Sequence, residues 1–430
     1  MKVKIMTLGC KVNQYESEAM KELFIQKNYE ITEDDYADFY IVNTCTVTQM
    51  SDRKSRSFIR KSKKTNPNSV VAVVGCYPQV SKDKVTEIEE ADVILGTQDR
   101  KQIVEIMEES YKSKKRIISV KEYSKDSEFE NLSLRDNEGR TRAYIKIQEG
   151  CNMFCTYCII PYARGPVRSR DFDSIIKEAI DLRNNGYKEV VLTGIHASSY
   201  GIDKKEKYRL IDIIEEVGKI EGIERIRLSS LEPRIITEEF LNRLIKVDKF
   251  CESFHLSLQS GSSEILKKMN RKYDYDLYKE KIELIRKYYE NPGITTDIIV
   301  GFPGESEENF LESKKAIEEI EFTKVHLFKY SRRRGTPAAE FENQIDPKIK
   351  NERLKVLEEV SKKAQNKIYS KQIGRLEEVL VEKFEDGKNY GYSKNYSHVK
   401  IISNENLEGK IVSVIIEDTI NDTLITSKII

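Results

Sequence analysis

The sequence predicts an α/β protein in three parts: an N-terminal parallel-sheet α/β domain over residues 1–112, a partial (β/α)6 barrel over 137–368, and a small C-terminal β-barrel or sandwich over 371–430. Three observations predict it. Residues 1–110 alternate apolar strand-like runs with helical stretches, which implies βαβ units and a parallel sheet. Residues 141–330 repeat that alternation with six strand candidates, several carrying one polar face. From about residue 374 onward the helical pattern gives way to short β-rich runs.

Taken in order, the first domain has strand candidates at 4–8, 38–43, 70–75 and 92–95, with helices such as 13–26 and 52–64 between them. A polar stretch at 111–140 reads as a connection. The barrel strands are 143–148, 189–193, 225–230, 253–258, 295–300 and 324–328, and helical runs such as 173–183, 210–219, 238–245, 276–288 and 307–320 separate them. A charged amphipathic helix, 347–369, follows. The β-rich runs are 378–384, 398–402, 410–416 and 423–427; a segment this short is marginally stable alone, so it leans on its neighbour.

Length and composition bound the answer. The 430 residues suggest roughly three domains. With 39% hydrophobic and 34% charged residues, collagen-like and wholly disordered classes are excluded. No apolar run nears the roughly 20 residues of a bilayer span, and residues 1–7 read as a strand without the apolar stretch of a signal peptide. No membrane association and a cytoplasmic location are therefore expected. Lys+Arg 73 against Asp+Glu 72 nearly cancel, so any nucleic-acid binding must come from local patches.

The seven cysteines carry more information. An odd number without a secretion signal argues against a disulfide framework. Cys10, Cys45 and Cys76 each follow a strand of the first domain, beside Gly or Asn-Thr rather than inside an apolar run. Ligands gather outside the carboxyl ends of strands in open α/β sheets, so the three can converge and share a metal. The plain alternative is three small buried hydrophobes. Cys151-x3-Cys155-x2-Cys158 follows the first barrel strand directly. Zinc prefers four ligands, and no fourth Cys or His lies nearby. Three thiolates fit a 4Fe–4S cube with one iron left for a substrate or cofactor; zinc or chance spacing is the alternative. Cys251 precedes a strand, has no partner and reads as structural.

Side chains alternate faces along a strand. Ser253, His255, Ser257 and Gln259 share a face, as do Arg225, Arg227 and Ser229, and Tyr144, Lys146 and Gln148. A closed eight-stranded barrel fills its lumen with Val, Ile and Leu. Polar faces instead fit a shorter, partly open barrel around a polar cofactor, or ordinary half-exposed strands. Thr193, His196, Glu232, Gln259 and Asp297 lie near strand ends, where functional groups collect in this architecture; His196 reads equally as a surface-loop residue.

At Cys151-Asn-Met-Phe-Cys155-Thr-Tyr-Cys158 the chain resembles radical S-adenosylmethionine (SAM) enzymes. The next twelve residues, Ile159-Ile-Pro-Tyr-Ala-Arg-Gly-Pro-Val-Arg-Ser-Arg170, resemble the methylthiotransferases among them, as do Leu256-Ser-Leu-Gln-Ser-Gly261 and Asp297-Ile-Ile-Val-Gly-Phe-Pro-Gly-Glu305. The resemblance covers nearly the whole chain and makes the C-terminal part a TRAM domain. Residues 7–16 and 330–337 are most similar to the branch acting on threonylcarbamoyladenosine in tRNA.

The resemblance implies two 4Fe–4S clusters. Cys151, Cys155 and Cys158 would hold the one that binds SAM and reduces it to methionine and a 5′-deoxyadenosyl radical. Cys10, Cys45 and Cys76 would hold an auxiliary one, carrying a sulfur methylated by a second SAM. The radical would abstract hydrogen from carbon 2 of adenine at tRNA position 37, and the methylthio group would follow. Tyr157 would pack near the SAM adenine, with Glu232, Gln259 and Asp297 reaching SAM; no catalytic residue beyond the clusters is assigned. An electron donor of flavodoxin or ferredoxin type and a sulfur donor are implied partners. Rival readings are methylthiolation of isopentenyladenosine in tRNA or of a ribosomal-protein aspartate, and a non-catalytic iron–sulfur RNA-binding protein.

For RNA, residues 51–64 hold seven cations and one acid, and Arg332, Arg333 and Arg334 follow the sixth barrel strand as candidate substrate contacts. A Lys-rich helix is also commonly a solvated face. Residues 371–430 hold eight Lys/Arg against ten Asp/Glu, which lends no domain-wide support to RNA binding. Tyr390, Tyr392 and Tyr396, interleaved with Lys388 and Lys394, offer a local surface for base stacking.

Overall fold

The computed structural model describes residues 1–124, 127–132, 141–205 and 207–430. The expected domain start at 137 and part of the connection 111–140 lie outside the described residues. The first part runs β1 (Lys2–Thr7), α1 (Lys11–Gln26), β2 (Glu30–Ile31), β3 (Phe39–Thr44), α2 (Gln49–Thr65), β4 (Val70–Gly75), α3 (Cys76–Val80), α4 (Lys82–Thr86), β5 (Val93–Leu95), α5 (Ile103–Ser113) and β6 (Ile117–Ser119). All six strands join one parallel sheet in the order β2-β1-β3-β4-β5-β6. Every residue of β3 and β4 is buried, because apolar side chains leave both faces. Ile41, Ala72 and Val74 pack with Met20, Phe24 and Met107 on one side; Val42, Val71 and Val73 pack with Ile59 and Tyr77 on the other. Within this sheet β1, β3 and β4, whose carboxyl ends carry the three cysteines, are immediate neighbours.

The second part runs β7 (Arg142–Glu149), α6 (Ile160–Arg164), β8 (Arg168–Ser169), α7 (Phe172–Asn184), β9 (Glu189–Gly194), α8 (Leu210–Gly218), β10 (Arg225–Leu228), α9 (Glu238–Leu244), β11 (Ser253–His255), α10 (Ser263–Lys268), α11 (Tyr275–Tyr288), β12 (Gly293–Val300), α12 (Glu307–Ile320), β13 (Lys324–Lys329) and α13 (Pro347–Ser370). Strands β7, β9 and β10 are parallel neighbours, as are β11, β12 and β13. Single parallel bridges, Ile226 to Phe250 and Leu231 to Leu256, join the two groups. Six parallel strands therefore follow one another in sequence order around a barrel. No bridge among the described residues closes β13 onto β7, whose outer edge pairs with antiparallel β8. The helices seal the outside over a core that includes Ile145, Leu192, Ile226, Phe254, Ile298 and Phe310.

The third part adds β14 (Leu376–Glu385), β15 (Lys388–Ser393), β16 (His398–Ile402), β17 (Ile411–Ile415), β18 (Asp418–Ile420), β19 (Thr423–Thr426) and β20 (Lys428–Ile429), in the order β18-β19-β16-β15-β14-β17-β20. Strands β19 and β20 are one segment interrupted only at Ser427, yet one pairs with β16 and the other with β17. That shared segment curls the sheet round a core of Val379, Val381, Val399, Ile401 and Val414. It leans on the barrel, where Arg225 donates to the carbonyls of Tyr392 and Glu378 and Arg227 to those of Ser393 and Lys394. No helix among the described residues is long and apolar enough to cross a membrane.

Candidate functional site

Three neighbouring strands of the first sheet end in the three isolated cysteines. Glycines make the approach possible. Gly9 has φ +112, and a Cβ there would lie 2.8 Å from Cys45 Cβ and 3.1 Å from its sulfur. Gly75, φ +96, would bring a Cβ to 2.7 Å from the Thr44 carbonyl. Both positions require a residue without a side chain. Asn13 Nδ2 ties the ends together, donating to Leu8 O at 2.7 Å and Thr44 O at 3.0 Å. Cys45 and Cys76 are buried and Cys10 is exposed. Burial pushes the Cys76 thiol up to about 12, with Arg164 opposing and Cys45 and Cys10 adding to it, so the three sulfurs sense one another.

The second triad lies on the loop after β7. Its backbone is pinned by Cys151 N to Gly165 O at 3.1 Å, Thr156 N to Met269 O at 3.0 Å and Ala338 N to Thr156 O at 2.8 Å. Burial pushes the Cys158 thiol up to about 12 as well. Free thiols so placed keep their protons, whereas a metal takes them as thiolates. No three Cys, His, Asp or Glu among the described residues close on a single ion; a four-iron cube asks instead that each thiolate meet a different iron. With three thiols per site on fixed backbone, both donor sets fit such a group.

Cys10 and all of Cys151, Cys155 and Cys158 line one cavity of about 990 Å³, the barrel lumen. Tyr157, Glu232, Gln259 and Asp297 line it too, as do Thr193 and His196. Glu232 accepts from Arg234 Nε at 2.7 Å, and Asp297 from His255 Nε2 at 3.2 Å. Gln259 sits at φ +73, where a single bridge to Ile298 ties it to β12. Burial, with Arg271 and Arg234, pushes His196 down to about 4, so its ring is neutral at neutral pH. Of the polar strand faces, Tyr144, Arg227, Ser229, Ser253, His255 and Ser257 face the lumen. Cys251 is fully buried beside β10, its N–H bonded to the Ile226 carbonyl at 2.9 Å.

The candidate substrate and RNA contacts fall in different settings. Arg333 is buried, with Nη2 donating to Thr46 Oγ1 at 2.6 Å and Asp52 Oδ2 at 2.7 Å, because the loop packs on the start of α2, so its guanidinium is already held by an acid. Arg332 and Arg334 are exposed and lie outside the cavity wall. Tyr390 and Tyr392 lie on β15. Tyr392 and Tyr396 stack on each other at 4.7 Å, beneath Arg142, and form part of the cavity wall. Among the seven cations of 51–64, Lys61 pairs with Asp35 and Lys63 with Asp92, while Arg53, Lys54 and Lys64 are exposed.

Sequence reading missed Arg271, which donates Nη1 to Cys155 Sγ at 3.5 Å and Nη2 to Ser257 O at 3.2 Å in the cavity wall. It also missed a buried ion network behind Cys76. Glu16, Glu149, Lys146, Arg100 and Arg164 meet there with almost no exposure. Burial would raise Glu16, but Arg100, Arg164 and Lys146 hold it down at about 2. Lys11, beside Cys10, is a third omission and lines the lumen. A charged residue next to a candidate ligand was the only available sign.

The Radical SAM superfamily matches residues 145–317, and the uncharacterized protein family UPF0004 matches residues 2–96. Threonylcarbamoyladenosine tRNA methylthiotransferase MtaB of Bacillus subtilis (strain 168) is 41% identical over 95% of this chain and 92% of its own. The Aquifex aeolicus (strain VF5) protein of the same name is 39% identical over 94% and 100%. The tRNA-2-methylthio-N(6)-dimethylallyladenosine synthase of Clostridium botulinum (strain Loch Maree / Type A3) is 38% identical over 95% and 93%. Among solved structures, the radical SAM methyltransferase TsrM from Kitasatospora setae, with cobalamin and a 4Fe–4S cluster bound, superposes with TM-score 0.59 at 13% identity, over 79% of this chain and 73% of that one. The cobalamin-dependent radical enzyme OxsB gives 0.53 at 12%, over 83% and 56%. At such identities these two show the fold alone.

Proposed function

We propose that this chain, which belongs to the radical SAM methylthiotransferase family, adds a methylthio group to carbon 2 of N6-threonylcarbamoyladenosine at tRNA position 37. It would use two SAM, one as methyl donor and one as radical source. Family membership brings SAM and one 4Fe–4S cluster with it; the second cluster, on Cys10, Cys45 and Cys76, is part of the proposal. The observation that carries it is the meeting of Cys10 with Cys151, Cys155 and Cys158 on one lumen of about 990 Å³, a volume suited to a SAM molecule and one base.

Bound there, the two clusters would supply an electron for SAM cleavage and the sulfur for transfer. The chain's own residues bind, orient and exclude. Glu232 and Asp297, each already held by a cation or imidazole, present fixed acceptors to SAM hydroxyls and amines, and Tyr157 offers a ring beside the cysteine loop. Val12, Ile160, Leu228 and Leu231 give the lumen apolar wall that keeps water from a radical. Holding reactants in one geometry is the main work left to the protein. A flavodoxin- or ferredoxin-like reductant and a sulfur donor complete the reaction, in the cytoplasm.

The branch assignment draws on residues 7–16 and 330–337 and on the two threonylcarbamoyladenosine enzymes at 39–41% identity. Nucleoside mass spectrometry of tRNA from cells with and without this gene tests it. The methylthio form of threonylcarbamoyladenosine should vanish with the gene. Loss of the methylthio form of isopentenyladenosine instead would assign the chain to the other branch.

A further inference from the structure

We propose that Arg164 raises the reduction potential of the cluster held by Cys10, Cys45 and Cys76, as a positioning residue that presses one N–H and a positive charge onto a cluster thiolate. The inference rests on the reading above that these cysteines hold a cluster. Arg164 lies on α6, just after Cys158, yet its side chain turns away from that loop to the other triad. Its Nε donates to Cys76 Sγ at 3.3 Å. Nη1 donates to Glu16 Oε1 at 2.5 Å and Glu149 Oε1 at 2.7 Å, and Nη2 to Asn13 Oδ1 at 2.6 Å and Glu16 Oε2 at 2.9 Å.

All five guanidinium donors are thus used, and four of them anchor the group so that the fifth can point only at sulfur. The anchors are themselves fixed. Asn13 is tied to the strand ends beside Cys10 and Cys45, and Lys146 Nζ lies 3.1 Å from Glu16 and 3.3 Å from Glu149. Arg100 meets Glu16 at 2.5 Å and Glu130 at 2.8 Å, and Arg168 lies 3.6 Å from Glu149. Four cations therefore share three carboxylates, which leaves positive charge in excess behind Cys76. Asn13 and Glu16 come from α1, while Glu149 and Arg164 come from the barrel, so docking of the two parts seats the donor.

Reduction adds an electron to a cluster. A hydrogen bond to its sulfur ligand and a buried positive charge both stabilise the more negative state, and potentials respond to both. In a low-dielectric interior the effect is strong. A purely structural clamp would hold the two parts together without touching the potential.

The test uses the full chain carrying Cys151→Ala, Cys155→Ala and Cys158→Ala, reconstituted anaerobically and followed by spectroscopic redox titration. About four irons per chain establishes the N-terminal cluster itself; a chain that takes up none overturns the cluster reading and this proposal with it. With iron present, Arg164→Gln should favour the oxidised form at least tenfold at the parent midpoint, about 59 mV for a one-electron couple. Glu16→Gln keeps the donor and removes a negative charge behind it, so it should shift the ratio the other way. Opposite signs support the proposal. No shift in either variant, or shifts of one sign, overturn it. If Arg164→Gln fails to hold iron, the sign of the Glu16→Gln shift decides. In the complementary chain lacking Cys10, Cys45 and Cys76, Arg164→Gln should leave the remaining cluster's potential unchanged; an equal shift there would mean general loosening and overturn the assignment.

Discussion

Arg333 Nη2 lies 2.7 Å from Asp52 Oδ2 and joins the loop after the last barrel strand to the first turn of α2, next to Cys45. The pair is nearly closed to solvent, with side-chain exposures of 9% and 14%. Thr46 shares the same guanidinium nitrogen, and Gln49 bonds to Ser331 and to the Arg332 carbonyl from the neighbouring turn. The N-terminal sheet and the barrel are therefore latched at the edge where Cys45 sits.

Removing one partner of such a pair leaves the other charge desolvated. Arg333→Ala should destabilise the chain by roughly 2–4 kcal/mol, read from denaturant unfolding. Asp52→Ala should cost a similar amount, and the double variant clearly less than the sum of the two. Additive costs would show that the latch contributes nothing as a pair.

The two triads should separate by chemistry. Anaerobically reconstituted protein should hold about eight irons, and Cys151→Ala, Cys155→Ala and Cys158→Ala together should leave about four. Cys45→Ala should still cleave SAM under reducing conditions but form no methylthiolated tRNA, whereas Cys155→Ala should do neither. Turnover of tRNA by the Cys45→Ala protein would remove the N-terminal site from the mechanism.

Two carboxyls, the buried Glu377 of the C-terminal sheet and the half-buried Glu252 of the barrel, are both held protonated to higher pH than usual. Burial pushes Glu377 up to about 7, with Glu252 adding to it and Arg375, Arg225 and Asn291 opposing. Burial raises Glu252 to about 7 as well, against Lys394 and Arg375 and with Glu290 adding to it. Both folded-state values lie above the ordinary carboxylate value of 4.5, so the folded chain binds more protons than the unfolded one between about pH 4.5 and 7. The stability this contributes is complete below 4.5 and is lost as pH rises through 7. Glu377→Gln should therefore leave the melting temperature near the parent's at pH 5 and raise it by roughly 1–3 °C at pH 8. An equal effect at both pH values would mean that the carboxyl does not titrate in this window.

What could be read in advance follows the range of each interaction. Strand ends and cysteine spacing are local, so the six ligand candidates, the barrel strands and the lumen-facing Ser253, His255 and Gln259 were legible. Strands β2 and β6 have two and three residues, too few for a period of two to emerge. Tyr390 and Tyr392 stand among Asn389, Gly391, Ser393 and Asn395, residues typical of turns, which reads as a loop until the pairing of β15 with β14 and β16 is seen. Arg164 meets Glu16 across 148 positions and Arg333 meets Asp52 across 281. No period reports such pairs. A buried Arg and an RNA-facing Arg look alike until the fold brings an acid to one of them.

The proposed choice of substrate turns on that distinction. A threonylcarbamoyl group carries a carboxylate, and an isopentenyl group is wholly apolar. A guanidinium grips a carboxylate with two parallel hydrogen bonds, and an apolar group leaves those donors unpaired, a difference that can amount to several orders of magnitude in discrimination. With Arg333 held by Asp52, Arg332 and Arg334 remain as the exposed cations of this loop. Offered both kinds of modified tRNA, the enzyme should turn over the threonylcarbamoyl form and leave the isopentenyl form. An arginine that contacts the carboxylate should, when replaced by Ala, lower kcat/KM at least about tenfold on that tRNA and leave the salt dependence of binding unchanged. One that contacts phosphate should weaken binding of any tRNA and reduce the salt slope by about one unit. Arg332→Ala and Arg334→Ala measured separately sort the two roles. Equal turnover of both tRNAs by the unaltered enzyme, or preference for the isopentenyl form, would overturn the branch assignment and leave the methylthiotransferase chemistry intact.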